Sequence, residues 1–180
     1  MATIPTIPTE APGNFWTSAL WNANILGGLN YLFAPVRFKA YSSTTQTITS
    51  NTSSTVLTLD TEIVDSDNGH STVTNTSRYT CQTAGMYFVS GSVCYATNST
   101  NTRTLQIFLN GVGVTGSAVQ AAPPSNRGAS VFTATTVQLA VGDYVELATW
   151  QDTGTIGTST LATSNTNAIA TTMNLFRISN

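Results

Sequence analysis

Beyond residue 35 the chain alternates apolar and polar residues in short runs. Val36-Arg37-Phe38-Lys39-Ala40-Tyr41 is the clearest of them, and a period of two is what a half-buried strand imposes on its side chains. The same pattern predicts strands near 71–80, 86–96, 103–109, 113–120, 129–139, 143–151 and 168–178, with shorter apolar pieces at 46–49, 56–59 and 63–64. Clusters of Gly, Pro, Asn and Ser separate them, and Asp65-Ser66-Asp67-Asn68-Gly69 is a dense turn signal. No helical period follows residue 33. Short strands broken in this way predict an all-β sandwich or jelly roll, and no internal repeat points to a solenoid.

Particular residues sharpen the turns. Gly85 directly precedes the aromatic strand Met86-Tyr87-Phe88-Val89, and glycine there can take a positive φ so that the strand starts sharply. Asn110-Gly111 is a strong hairpin signal. Gly142-Asp143 turns the chain between two strands, and the Asp143 carboxylate can accept backbone N–H groups within that turn. Tyr87 is expected to pack the sandwich. Phe132, Tyr144, Trp150 and Phe176, on the late strands, are candidates for the core or for an interface between copies, two roles that periodicity does not separate.

The first 35 residues obey other rules. Three prolines between Met1 and Pro12 favour an extended arm. Asn14 to Phe33 then concentrates large apolar groups. Thr17 or Ser18 can cap a short helix beginning at Ala19, with Trp16, Leu20 and Ala23 on one face. Gly27-Gly28 would end it, and Pro35 marks the boundary. A segment carrying Phe15, Trp16, Leu20, Trp21, Leu29 and Phe33 cannot bury these side chains by itself. The expected division is therefore an anchoring arm over 1–35 and a β-domain over 36–180.

Composition narrows the function classes. Charged residues are 8% of the chain and the formal net charge is -2, against roughly 25% charged in an average domain. Thr, Ser and Asn supply the polarity instead. No apolar run reaches the roughly 18 residues that a spanning helix needs, so no membrane insertion is expected. Six Lys and Arg spread along the chain make no basic patch, so no nucleic acid is expected as a partner. Met1 to Pro12 has neither a basic stretch nor an apolar core of a secretory signal. Cys81 and Cys94 make no disulfide framework and read as free buried thiols.

Catalytic and metal chemistry find little to stand on. His70 is the single histidine, and Asp67, His70 and Ser71 sit in one loop, where a triad rarely converges on a substrate. No Cys/His pair has zinc spacing. Asp60, Glu62, Asp65 and Asp67 cluster but lack the ligand pattern of a calcium loop. The glycines from Gly111 to Gly116 lie in a β-region with no helix to cradle phosphate. No enzyme activity and no cofactor are expected.

Taken in order, the motifs resemble the globular head of complement C-one-q, within the tumour necrosis factor-like jelly-roll superfamily. The residues carrying the resemblance are Tyr79-Thr80-Cys81 with Gly85-Met86-Tyr87-Phe88, then Leu105 to Gly111, then the Leu-x-x-Gly-Asp-x-Val-x-Leu run from Leu139 to Leu147, and the closing strand Met173 to Ile178. The family's usual last strand, Phe-x-Gly-Phe-Leu-Leu, is replaced here, and no collagen stalk is present. The resemblance implies a homotrimer. Separately, Trp16-Thr17-Ser18-Ala19-Leu20-Trp21-Asn22-Ala23 leading to Phe33-Ala34-Pro35 resembles the start of many tailed-phage virion proteins. The two resemblances together imply a non-enzymatic virion structural protein, assembled in the host cytoplasm and displayed on the particle as a trimeric capsid decoration or head fibre. Residues 1–35 would bind major capsid or tail proteins. Other readings stay open: a tail fibre or tail-tip protein binding host cell-surface glycan through loops 42–54, 97–102, 121–128 and 152–167, a secreted signalling-type ligand, and a glycan hydrolase.

Overall fold

The computed structural model describes residues 17–26, 29, 32, 35–49, 54–99, 101–123, 128–152, 158–159 and 170–179. The described strands are β1 (Arg37–Tyr41), β2 (Thr47–Ile48), β3 (Thr55–Val56), β4 (Thr61–Asp65), β5 (Arg78–Thr80), β6 (Gly85–Cys94), β7 (Arg103–Leu109), β8 (Val112–Gly113), β9 (Val119–Ala121), β10 (Ser130–Leu139), β11 (Tyr144–Gln151), β12 (Thr158–Ser159) and β13 (Thr172–Ser179). They form an all-β jelly roll of antiparallel sheets.

One sheet has the order β10-β6-β13-β1-β4. The other runs β3-β11-β7-β8, with β5 also paired to β11 and β9 to β7. A small third sheet joins β12 to β2. The longest ladder matches β10 to β6 from Ser130↔Cys94 to Leu139↔Gly85 without a register break. Consecutive numbers are seldom neighbours, so most pairings close long stretches of chain. Such a fold depends on non-local contacts.

Period-two alternation sends one side of each strand into the shared core. Phe38 and Ala40 of β1, Tyr87, Val89 and Val93 of β6, Val131, Val137 and Leu139 of β10, and Met173 and Leu175 of β13 meet Leu105, Ile107, Val145 and Leu147 from the opposite sheet. Both cysteines are free and buried. Gly91 marks a close approach of the two layers, since a Cβ there would collide with the Leu147 side chain. A larger residue at 91 would hold the sheets apart, which is the cost of overpacking.

Two predicted strands are shorter than expected, for visible reasons. Residues 71–77 are turns, and only Arg78–Thr80 of the expected 71–80 strand pairs. Ser71 Oγ accepts Thr74 N at 3.1 Å, and Asn75 sits at φ 51°. A side-chain-closed turn and a left-handed residue both break an extended path. The expected 113–120 strand is likewise split into β8 and β9, with Gly116 at φ 82° between them.

At the N-terminus, the helix Ser18–Trp21 (α1) is capped by Thr17, whose Oγ1 accepts Leu20 N at 3.2 Å. Thr17 rather than Ser18 is the cap, so the helix starts one residue earlier than Ala19. It continues as a π-helical turn over Asn22–Leu26. No α1 residue is buried. Phe15, Trp16 and Phe33 lie outside the described residues, as do the prolines of the arm.

Candidate functional site

The outer face of the five-stranded sheet exposes large aromatic side chains. The ladders lay its outward side chains in rows. Phe176 of β13 lies between Phe88 of β6 and Arg37 of β1, and Phe88 continues to Thr136 of β10. The next row is Ala134, Ser90, Asn174, Lys39 and Val64, and the one beyond it is Phe132, Ser92, Thr172, Tyr41 and Thr61. Phe88 and Phe176 pack their rings at 5.2 Å between centroids. Phe132 is 60% exposed, Phe176 45% and Ile178 53%.

Exposed aromatics gathered on one pleated face differ from scattered surface apolar residues, which need no explanation. Ser92 and Thr172, which share a hydrogen bond of 3.0 Å, and Asn174 give the same face small polar groups that can pair across a contact. Arg37 and Lys39 lie toward its β1 side. The face therefore carries two aromatic patches, Phe88 with Phe176 and Phe132 on the β10 edge, with small polar residues between them.

The sequence-predicted aromatics divide three ways. Tyr87 is in the core, and its hydroxyl donates to Thr83 O at 2.5 Å. Phe132 and Phe176 are on the exposed face just described. Tyr144 and Trp150 are half-buried on the outer side of the other sheet, outside the core and away from that face. The Tyr144 ring carries the Arg78 guanidinium 4.1 Å from its centroid. Phe88 is not among the predicted interface residues, although alternation with core Tyr87 sends it to the outer face, where it lies opposite Phe176. Of the anchoring residues, Trp21 is 53% exposed and Leu29 40%, with Leu26 and Leu32 also exposed; Leu20 is half-exposed.

The turn residues converge. Cys81 N donates to Asp143 O at 2.7 Å, and Gly142 N returns a bond to Cys81 O at 2.9 Å. Asn110 Nδ2 donates to Asp143 Oδ1 at 2.8 Å while Asn110 Oδ1 accepts Tyr144 N at 2.9 Å. Asp143 Oδ2 accepts Ala140 N at 2.8 Å. Asn110, Gly111 and Gly142 have φ of 51°, 79° and 92°. At Gly85 a Cβ would strike the Arg177 side chain and Ser179 O, so glycine is required there by close approach as much as by turning. The hydrogen bonds from Asn110 and the Ala140 amide hold the Asp143 carboxyl below the usual carboxylate range.

The acidic cluster is dispersed into separate structural tasks. Asp60 receives Ser43 N at 2.7 Å and the Ser43, Thr44 and Thr61 hydroxyls. Partial burial would raise its pKa, but these hydrogen bonds prevail and lower it. Asp65 takes His70 N at 2.8 Å. Asp67 receives the Tyr79 hydroxyl, at 2.9 Å to Oδ1, and burial raises its pKa. Glu62 meets His70 Nδ1 at 2.8 Å. Among the described residues, no group of three or more His, Cys, Asp or Glu could hold a metal ion.

The sheets and the connections between them define a jelly roll of the complement and tumour necrosis factor type. The globular domain of zebrafish complement 1qA protein is similar over 81% of this chain and 99% of its own, with a TM-score of 0.58 at 14% identity. Murine APRIL at pH 8.5 is similar over 79% of this chain and 98% of its own, with a TM-score of 0.59 at 11% identity. Murine APRIL at pH 5.0 gives a TM-score of 0.52 at 12% identity. No protein-family model matches the sequence, and no curated protein does.

Proposed function

We propose that this chain is a non-enzymatic structural protein of a tailed-phage particle, a homotrimer displayed on the virion surface and held there by residues 1–35. The observation that carries the self-association is the Phe88, Phe132 and Phe176 face, which packing against two further copies would remove from water. Burying a phenyl side chain is worth about 1.5–3 kcal/mol relative to leaving it exposed, and the contact would recur in every copy. Closed three-fold packing uses each such surface once and leaves none open for further growth.

The anchoring role rests on the exposed Trp21, Leu26, Leu29 and Leu32; none of the described residues before Val36 belongs to the core cluster. The neutral, hydroxyl-rich composition suits a displayed surface. Deleting residues 1–34 is expected to leave a soluble trimer that no longer joins particles. Normal incorporation of the truncated protein, measured by particle purification and protein gel, would overturn the anchoring role. Copy number in intact particles separates a decoration, with many copies at symmetry-related sites, from a tail component present in a few.

A further inference from the structure

A polar pocket of about 280 Å³ opens beside β5, built within one protomer by the 68–75 turns and the start of the following strand. Its lining includes Asn68, Thr74, Asn75, Arg78, Thr80 and Gln82. It contains no carboxylate, although Asp65 and Asp67 are close in sequence; those two are turned to His70 N and to the Tyr79 hydroxyl instead. The geometry points to a binding site for a single sugar residue that bears a carboxylate.

Arg78 is the charged group of the pocket. Its Nε donates to Glu146 Oε1 at 3.2 Å, directly across the β5–β11 ladder. Glu146 is buried and is also held by Ser77 Oγ at 2.7 Å. The guanidinium lies over the Tyr144 ring. Both contacts fix the plane of the guanidinium, and its two Nη groups have no protein acceptor among the described residues. An arginine immobilised by stacking and by one ion pair, with its paired terminal N–H groups left over, is pre-organised to take a carboxylate with two parallel hydrogen bonds.

The walls supply what the rest of a sugar needs. The side chains of Asn68, Asn75 and Thr80 have no partner within the protein among the described residues, and Gln82 uses only its Nε2, on Thr80 O. Amides and hydroxyls both donate and accept, as sugar hydroxyls do. The volume falls just under the ~300–1,000 Å³ typical of drug-sized ligand sites, which suits one ring rather than a longer chain.

The frame is tied together by contacts within the protein. Gly69 O accepts Thr80 N at 2.7 Å, and a Cβ at Gly69 would collide with the Tyr79 ring, so this turn lies flat on β5. His70 is clamped between Glu62 and Thr76 O. Little ordering is left for a ligand to drive, which favours binding. The proposal does not rest on the trimer or on the virion role.

Titration of the full-length protein with glucuronate and with N-acetylneuraminate, followed by ligand-observed NMR, tests this. Glucose and acetate serve as the neutral-sugar and bare-anion controls. At least one acidic sugar is expected to bind at least tenfold more tightly than either control. Arg78→Gln is expected to lose that binding, but it also leaves buried Glu146 short of a partner and can destabilise the chain. Asn75→Asp leaves the Arg78–Glu146 pair intact and puts a carboxylate at an exposed position of the lining. It is expected to weaken the acidic sugar at least tenfold with an unchanged melting temperature. Binding of neither acidic sugar, equal binding of glucose or acetate, or unchanged affinity in Asn75→Asp each overturns the site.

Discussion

Asp143 shows how much one side chain can organise. Its two carboxylate oxygens and its carbonyl tie together three turns that are far apart in sequence, at Cys81, Asn110 and Ala140. Asp143→Ala is expected to cost about 1–3 kcal/mol, the range for losing hydrogen bonds to a charged group, read from the shift in denaturation midpoint. The sign of the pH effect follows from the lowered carboxyl pKa values of Asp60 and Asp143. Their stabilisation is complete above the unfolded-state value of about 3.9 and is lost as pH falls through their lower folded values. Asp67, raised by burial, acts oppositely. Its share of stability is present below the unfolded value and is lost as pH rises through the folded one. Melting temperature is therefore expected to drop below about pH 4, and less steeply in the Asp143→Asn variant than in the wild type. An equally steep drop in the two proteins contradicts this assignment.

Among elements, strands with one wet face were legible and strands with special faces were not. The alternation of Arg37–Tyr41 and Ser130–Leu139 appears unchanged as exposed and buried positions. The signature turns were legible because glycine and asparagine take left-handed backbone cheaply. Residues 71–77 read as a strand from their Thr and Val content, whereas the Ser71 hydroxyl and the left-handed Asn75 decide otherwise. Tyr144 and Trp150 look like core or interface residues in sequence, but β11 points them to the outer side of its sheet. The Arg78 pocket was invisible to pattern reading because its organising pair, Arg78 and Glu146, is 68 residues apart. Where the layers touch, Gly91→Val should destabilise by about 1–3 kcal/mol through overpacking against Leu147. A denaturation midpoint equal to the wild type would show that the Leu147 side chain gives way freely.

For the molecule as a whole, assembly decides which surfaces remain available. The Phe88–Phe176 face belongs to the five-stranded sheet, while the Arg78 pocket opens on the other sheet's side. In the proposed trimer, packing three copies through the first would leave the second free to meet a ligand. Under the proposed function, the division of labour would be a scaffold of converging turns, an aromatic face for self-association, and polar regions for outside contacts. The native mass of the purified protein, by light scattering or native mass spectrometry, tests the central claim most directly. The account predicts a mass three times the 18.9 kDa of the chain, and a folded monomer when Phe132 and Phe176 are both changed to Glu. A wild-type protein that stays monomeric at tens of micromolar, or a double variant that remains a trimer, contradicts it.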